Sequence, residues 1–199
     1  MDDTPVRNES RGMRTATRTV RWGLWAPIAL ALLGSLLLIP RTVSHLKRAF
    51  WVWRADAIGG EFLGWESTTR QVGDWDCGVA VASMMLARFG RDTTGLAPLR
   101  ARVLAKREPM SVLEIRDAMR RAGLASYGVR ADAPALESLP KPAVAYLPGG
   151  LGHFVIVDSI AGDAVYVRDP ARGALRFSQQ SFARVWKGIL LVPGTGSSG

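Results

Sequence analysis

The chain has 199 residues, enough for one ordinary domain with an extension and a single hydrophobic core. Lys and Arg outnumber Asp and Glu by 26 to 17, but Arg7, Arg11, Arg14, Arg18 and Arg21 crowd the start, so much of the basic charge belongs to a tail. No RNA- or DNA-binding signature accompanies it, which sets nucleic acid aside as a partner. One cysteine, Cys77, excludes an intrachain disulfide or a thiolate metal cluster, and two distant histidines, His45 and His153, leave no zinc motif; neither cofactor nor metal is expected.

After the basic tail of residues 1–21 comes WGLWAPIALALLGSLLLIP, residues 22–40, without a charge. At 1.5 Å per residue it reaches about 28 Å, the thickness of a bilayer's hydrocarbon core, and predicts one transmembrane helix. Trp22 and Trp25 before it, and Phe50, Trp51 and Trp53 beyond it, suit an interfacial aromatic belt. A cleaved signal peptide fits less well, because no small-x-small site follows the apolar run directly. Residues 41–65 read as a juxtamembrane linker or an interfacial helix, with Gly59-Gly60 as flexibility.

A domain-sized segment over 66–194 follows, and then a flexible tail, 195–199. Its first half predicts helices over Gly78–Phe89 and Leu96–Lys106, and a third opened by Ser111 with Glu114 in a capping box and closed near Gly123. Its second half changes period: AVAYLP, HFVIVDSIA, AVYVRD, ALRF and GILLVP are short β-rich runs, with Gly162-Asp163 as a hairpin turn and Ser178–Trp186 as a short helix. Helices first and an antiparallel sheet afterwards make an α+β fold.

Four residues stand out for chemistry. Cys77 opens an apolar helix, where the dipole lowers a thiol's pKa, and Gly78 beside it would let a substrate backbone approach; a buried, inert cysteine has the same local sequence. His153 begins a strand after the loop PGGLG and is the one histidine of the segment. Asp169 ends the next strand, where a hairpin would set its carboxylate beside the imidazole to fix the tautomer; a turn aspartate before Pro170 is the plainer alternative. Gln71, six residues before Cys77, offers a side-chain amide to an oxyanion, although a lone glutamine is ordinarily a solvated surface residue.

Taken together, QVGDWDCGVA, GHFVIVDSI, VYVRDPARG and a late W-x-G-I-x-L strand resemble the double-glycine leader peptidases, papain-like cysteine peptidases that process bacteriocins and are often fused to an ABC exporter. The resemblance covers about Ser67 to Pro193. It implies Cys77 as nucleophile, His153 as general base, Asp169 as its orienting acid and Gln71 as oxyanion donor. It also implies cleavage of a leader after a Gly-Gly pair. The substrate would be a peptide or protein precursor, with a separate exporter as an expected partner, because no Walker A motif occurs here. A papain-like amidase or transferase, a non-catalytic leader-binding module and a scaffold of a membrane complex are the alternatives.

Arginines and lysines are nearly balanced around the apolar run, with Arg41, Lys47, Arg48 and Arg54 on its far side. Moving the five N-terminal arginines outward would oppose the membrane potential. The expectation is a single-pass protein of the bacterial inner membrane with its peptidase domain extracytoplasmic. The exporter-fused relatives, which work on precursors in the cytosol, point the other way.

Overall fold

The computed structural model describes residues 46–194, so the basic tail, the apolar run of 22–40 and the tail over 195–199 lie outside the described residues. Among the described residues no helix is long and apolar enough to cross a membrane. The stretch read as linker is structured from residue 46 onward: helix α1 covers 46–56, and strand β1, Glu61–Gly64, forms one edge of the sheet. Gly59-Gly60 is accordingly not a flexible hinge. The Gly60 amide donates to the Ala55 carbonyl, and a Cβ on Gly60 would lie 2.8 Å from the Phe177 ring, so the pair closes α1 onto the body.

The remaining helices follow the predicted pattern: α2, Cys77–Arg88; α3, Ala97–Lys106; α4, Val112–Arg121; and α5, Gln179–Val185. Ser111 and Glu114 form the expected reciprocal cap, the hydroxyl accepting from the Glu114 amide and the carboxylate from the Ser111 amide. Two one-turn helices, Thr94–Leu96 and Pro134–Ser138, fill connections.

The five predicted β-runs form strands β3, Ala143–Leu147; β4, His153–Ala161; β5, Ala164–Asp169; β6, Gly173–Ser178; and β7, Ile189–Pro193. The earlier strand β2, Ser126–Arg130, joins them from the half read as helical. All seven strands form one antiparallel sheet in the order β1-β6-β5-β4-β3-β7-β2. The β4–β5 hairpin closes from Ala161↔Ala164 through Gly162-Asp163, with Gly162 at a left-handed φ of +56°.

Strand alternation divides the apolar side chains into two layers rather than the single core expected. Val144, Phe154, Ile156 and Leu191 face α2 and α4, whereas Val155, Val157, Val167 and Leu190 join Phe182 and Trp186 of the α5 region and Ala55 of α1. A seven-stranded sheet has two faces to cover, and a period of two supplies both from the same strands. α2 is buried nearly all round between the sheet and α4, so its first residue is held in place on every side.

Candidate active site

Cys77 is the first residue of α2 and only 1% exposed. The residue before it, Asp76, does not cap the helix with its side chain, and the first turn carries no acid. The amides of the first turn of α2 are therefore not taken up by a side-chain cap at the end where the thiol sits. Gly78 serves packing rather than substrate approach: a Cβ there would come within 2.9 Å of Met110 and 3.2 Å of Ile115, so glycine is what lets α2 press against α4.

His153 opens β4 after a loop whose last residue, Gly152, has φ +76° and lies so close to the Tyr146 hydroxyl that a side chain there would collide with it. This fixes where the imidazole emerges. Its Nε2 lies 2.8 Å from Asp169 Oδ1, and the Cys77 side chain is close enough to act on the titration of the ring. With Nε2 engaged by the acid, Nδ1 is the nitrogen left for the sulfur. Burial alone would pull the histidine pKa down; the hydrogen bond to Asp169 and the attraction of Asp169 and Cys77 outweigh it and raise the value to about 9.

Asp169 is fully buried at the end of β5 and saturated with donors. Oδ1 accepts from the amides of Ala171 at 2.7 Å and Arg172 at 3.1 Å besides the imidazole, and Oδ2 pairs with Arg172 Nη1 at 3.0 Å. Burial would raise its pKa, but His153, Arg172 and the Ala171 amide together hold it below the usual carboxylate value. An ionised acid on Nε2 stabilises an imidazolium, and an imidazolium is the partner that a nucleophilic cysteine–histidine site requires.

Gln71 is carried into the same corner. Its amide donates to the Pro170 carbonyl at 3.1 Å, next to Asp169, and its side-chain Nε2 donates to the Gly73 carbonyl at 2.8 Å. An amide nitrogen has two hydrogens, so one remains for an oxyanion, while the buried Oε1 has no partner. The loop itself is braced by Asp76, whose Oδ1 accepts from Val72 at 3.0 Å and Gly73 at 2.9 Å and whose Oδ2 lies 3.1 Å from Arg100 Nε of α3.

Asp76, Arg100 and Arg172 were not singled out in the sequence. Asp76 is visible only as part of D-C-G, and the two arginines are spread among many others; burial of their carboxylate partners is what marks them. Among the described residues no group of three or more His, Cys, Asp or Glu side chains is placed to hold a metal ion. A groove of about 870 Å³ between α1 and the β1–β6–β5 edge is lined by none of Gln71, Cys77, His153 or Asp169, and so lies away from this cluster.

A cysteine at a helix N-terminus, packed on an antiparallel sheet that supplies a histidine and an acid, defines the papain-like class of α+β cysteine peptidase folds. Within that class the chain belongs to the Peptidase C39 family, whose model matches residues 65–198. It is 31% identical over 128 residues to the "Probable functional amyloid protease FapD" of Pseudomonas aeruginosa, covering 60% of this chain and 56% of that one. It is 29% identical over 129 residues to the "Lactococcin-G-processing and transport ATP-binding protein LagD" of Lactococcus lactis subsp. lactis, covering 59% of this chain and 17% of LagD. This chain thus spans about half of the first relative and a small part of the second. Among solved structures, a double glycine motif protease from an AMS/PCAT transporter, in complex with the leader peptide, superposes with a TM-score of 0.57 at 26% identity, over 63% of this chain and 89% of that one. The peptidase domain of Streptococcus ComA shares the fold, with a TM-score of 0.56 at 23% identity, over 65% of this chain and 98% of that one.

Proposed function

We propose that this cysteine peptidase removes leaders from secreted peptide or protein precursors by cutting after a Gly-Gly pair. Cys77 attacks the scissile carbonyl as thiolate, and His153 gives its proton to the departing amine. Water, deprotonated by His153, then releases the acyl-enzyme. Asp169 holds the imidazole, and the free hydrogen of the Gln71 side-chain amide, with the Cys77 backbone amide, receives the oxyanion. The observation that carries this reading is the 2.8 Å contact of His153 Nε2 with the buried Asp169 Oδ1, beside a Cys77 that opens α2. The leader-bound double glycine motif protease among the structural neighbours supports the substrate class.

The division of the chain belongs to the same proposal: a basic tail over 1–21, one membrane span over 22–40 and a peptidase domain over 66–194, in a bacterial inner membrane with the peptidase domain extracytoplasmic. A separate exporter completes the pathway.

Incubating the full chain with double-glycine precursor peptides and weighing the products by mass spectrometry tests the activity. A single cut after Gly-Gly that disappears with Cys77→Ala is the expected result. Binding of the precursor without any cut would favour the non-catalytic leader-binding module instead. For topology, a phosphatase fused after Gly199 should be active; activity of a cytosol-only reporter there would invert the orientation.

A further inference from the structure

Helix α1 has two unlike sides. Trp51 and Ala55 turn inward: Ala55 is 0% exposed, and the Trp51 ring packs edge-on against Trp65 with centroids 4.8 Å apart. Arg70 lies over the Trp65 ring at 3.9 Å, so the helix is fastened to the strand-to-loop segment that leads directly into Gln71. On the opposite side, Leu46, Phe50 and Trp53 recur at the i, i+4, i+7 spacing that aligns side chains on one helical face. They are 66%, 47% and 66% exposed.

A solvent-facing leucine alone needs no explanation, but three large apolar side chains on one face, opposite the side that already packs on the body, are a surface awaiting a partner. The charges around the face narrow the choice. Over 46–56 the helix carries Lys47, Arg48 and Arg54 against Asp56 alone. The Arg54 guanidinium folds over the rings of Phe50 and Trp51, at 5.7 and 5.4 Å, leaving an aliphatic stem along the apolar strip and a cation at its rim. An apolar strip that ends in a tryptophan and has a basic border is the pattern of a helix lying in a bilayer interface among anionic headgroups.

Chain length agrees. The uncharged run ends at Pro40, six positions before Leu46. At ~3.6 Å per residue Leu46 can lie no farther than about 22 Å from the end of that run.

We propose that α1 is an interfacial helix. Leu46, Phe50 and Trp53 enter the headgroup–acyl boundary, and Lys47, Arg48 and Arg54 meet anionic lipid. Because the inner face is fastened through Trp51, Trp65 and Arg70, the peptidase body is held at a set orientation to the membrane instead of swinging on a tether. The proposal rests on the span over 22–40 only for bringing α1 to the surface.

The test uses the full chain carrying Cys77→Ala, reconstituted in vesicles of phosphatidylethanolamine and phosphatidylglycerol. Spin labels are placed singly through Leu46→Cys, Ala49→Cys and, as a reference at an exposed site away from α1, Glu137→Cys. Collision with oxygen, relative to a water-soluble nickel complex, is expected to be several-fold higher at positions 46 and 49 than at 137. Adding Phe50→Ser with Trp53→Ser should return the position-49 label to water. Labels at 46 and 49 as water-exposed as the one at 137 would overturn the proposal. So would spin–spin broadening at these positions that vanishes on dilution with unlabelled chain, since the face would then be covered by a second copy. Extraction with alkaline carbonate reads the span separately. Retention with water-exposed labels overturns the interfacial helix and leaves the span standing, whereas release after oxygen-favoured collisions keeps the helix and removes the span.

Discussion

The two flanks of Cys77 are built differently. On the sheet side, His153 and Asp169 are locked into a charged network: the carboxylate accepts from the imidazole, two backbone amides and Arg172. On the loop side, Gln71 hangs on one side-chain hydrogen bond to Gly73 and leaves Oε1 unpaired, and its loop depends on Asp76 at a distance. The proposed base is therefore organised before substrate arrives, while the proposed oxyanion donor sits in a site that substrate can still complete. A buried ionised acid must have all its donors in place, since an unpaired charge there is costly; a neutral amide tolerates an unfilled bond far better.

The largest effect should come from removing the group both flanks serve. Cys77→Ala and His153→Ala should each lower kcat/KM by about 10⁴-fold or more, and the double variant should be no worse than either, because the two act as a unit. Single-turnover cleavage of a precursor, with circular dichroism to show an intact fold, measures this. Additive losses would separate the two residues.

Asp169→Asn breaks the sheet-side flank and sharpens the comparison through pH. With the histidine at about 9, the wild-type kcat/KM profile should fall on an alkaline limb near that pH as the imidazolium deprotonates. Replacing the acid removes the charge that helps raise the value, so the limb should move to lower pH while cleavage drops by about 10²-fold or more. Stability follows the same sign. A histidine raised from 6.5 to about 9 contributes fully below pH 6.5 and loses that contribution as pH rises through about 9. The depressed Asp169 contributes above its ordinary 3.8 and loses it as pH falls through the lower folded value. Thermal melts across both windows test the assignment; an alkaline limb unmoved in Asp169→Asn would detach the acid from the imidazole.

On the loop side, Gln71→Ala should lower kcat by ~10²–10³ with little change in KM, the cost of one oxyanion donor. Arg100→Ala should cost less, roughly tenfold in kcat, because Asp76 keeps its two amide donors and Arg100 is itself 30% exposed. A Gln71→Ala effect confined to KM would recast the glutamine as a substrate contact. Smallest of all, Ser111→Ala removes a cap in the scaffold and should lower stability by about 1 kcal/mol, a melting shift of roughly 2–4 °C, with kcat unchanged.

Local chemistry made much of this protein legible before any tertiary contact was known. The Ser111–Glu114 box, the Gly162-Asp163 turn and the five β-runs depend on neighbours within a few residues, and each appears where the spacing put it. The D-C-G and D-P contexts singled out Cys77 and Asp169 for the same reason, since a helix start and a strand end are local features. Tertiary structure decided what depends on distant partners. β1 and β2 are short edge strands whose patterns are too weak to read without β6 and β7 beside them. Gly78 reads as room for substrate until α4 is seen pressed against it, and Gly60 as slack until the Phe177 ring covers it. Asp76, Arg100 and Arg172 matter because burial makes every missing partner expensive, and burial is a property of the whole fold. The sequence alone determined which residues carry reactive groups and where the chain turns; only the fold decided which of those groups share a charge, because that requires bringing residues as far apart as His153 and Asp169 within hydrogen-bond range, and the chain at Gln71 beside them, in a medium with little water.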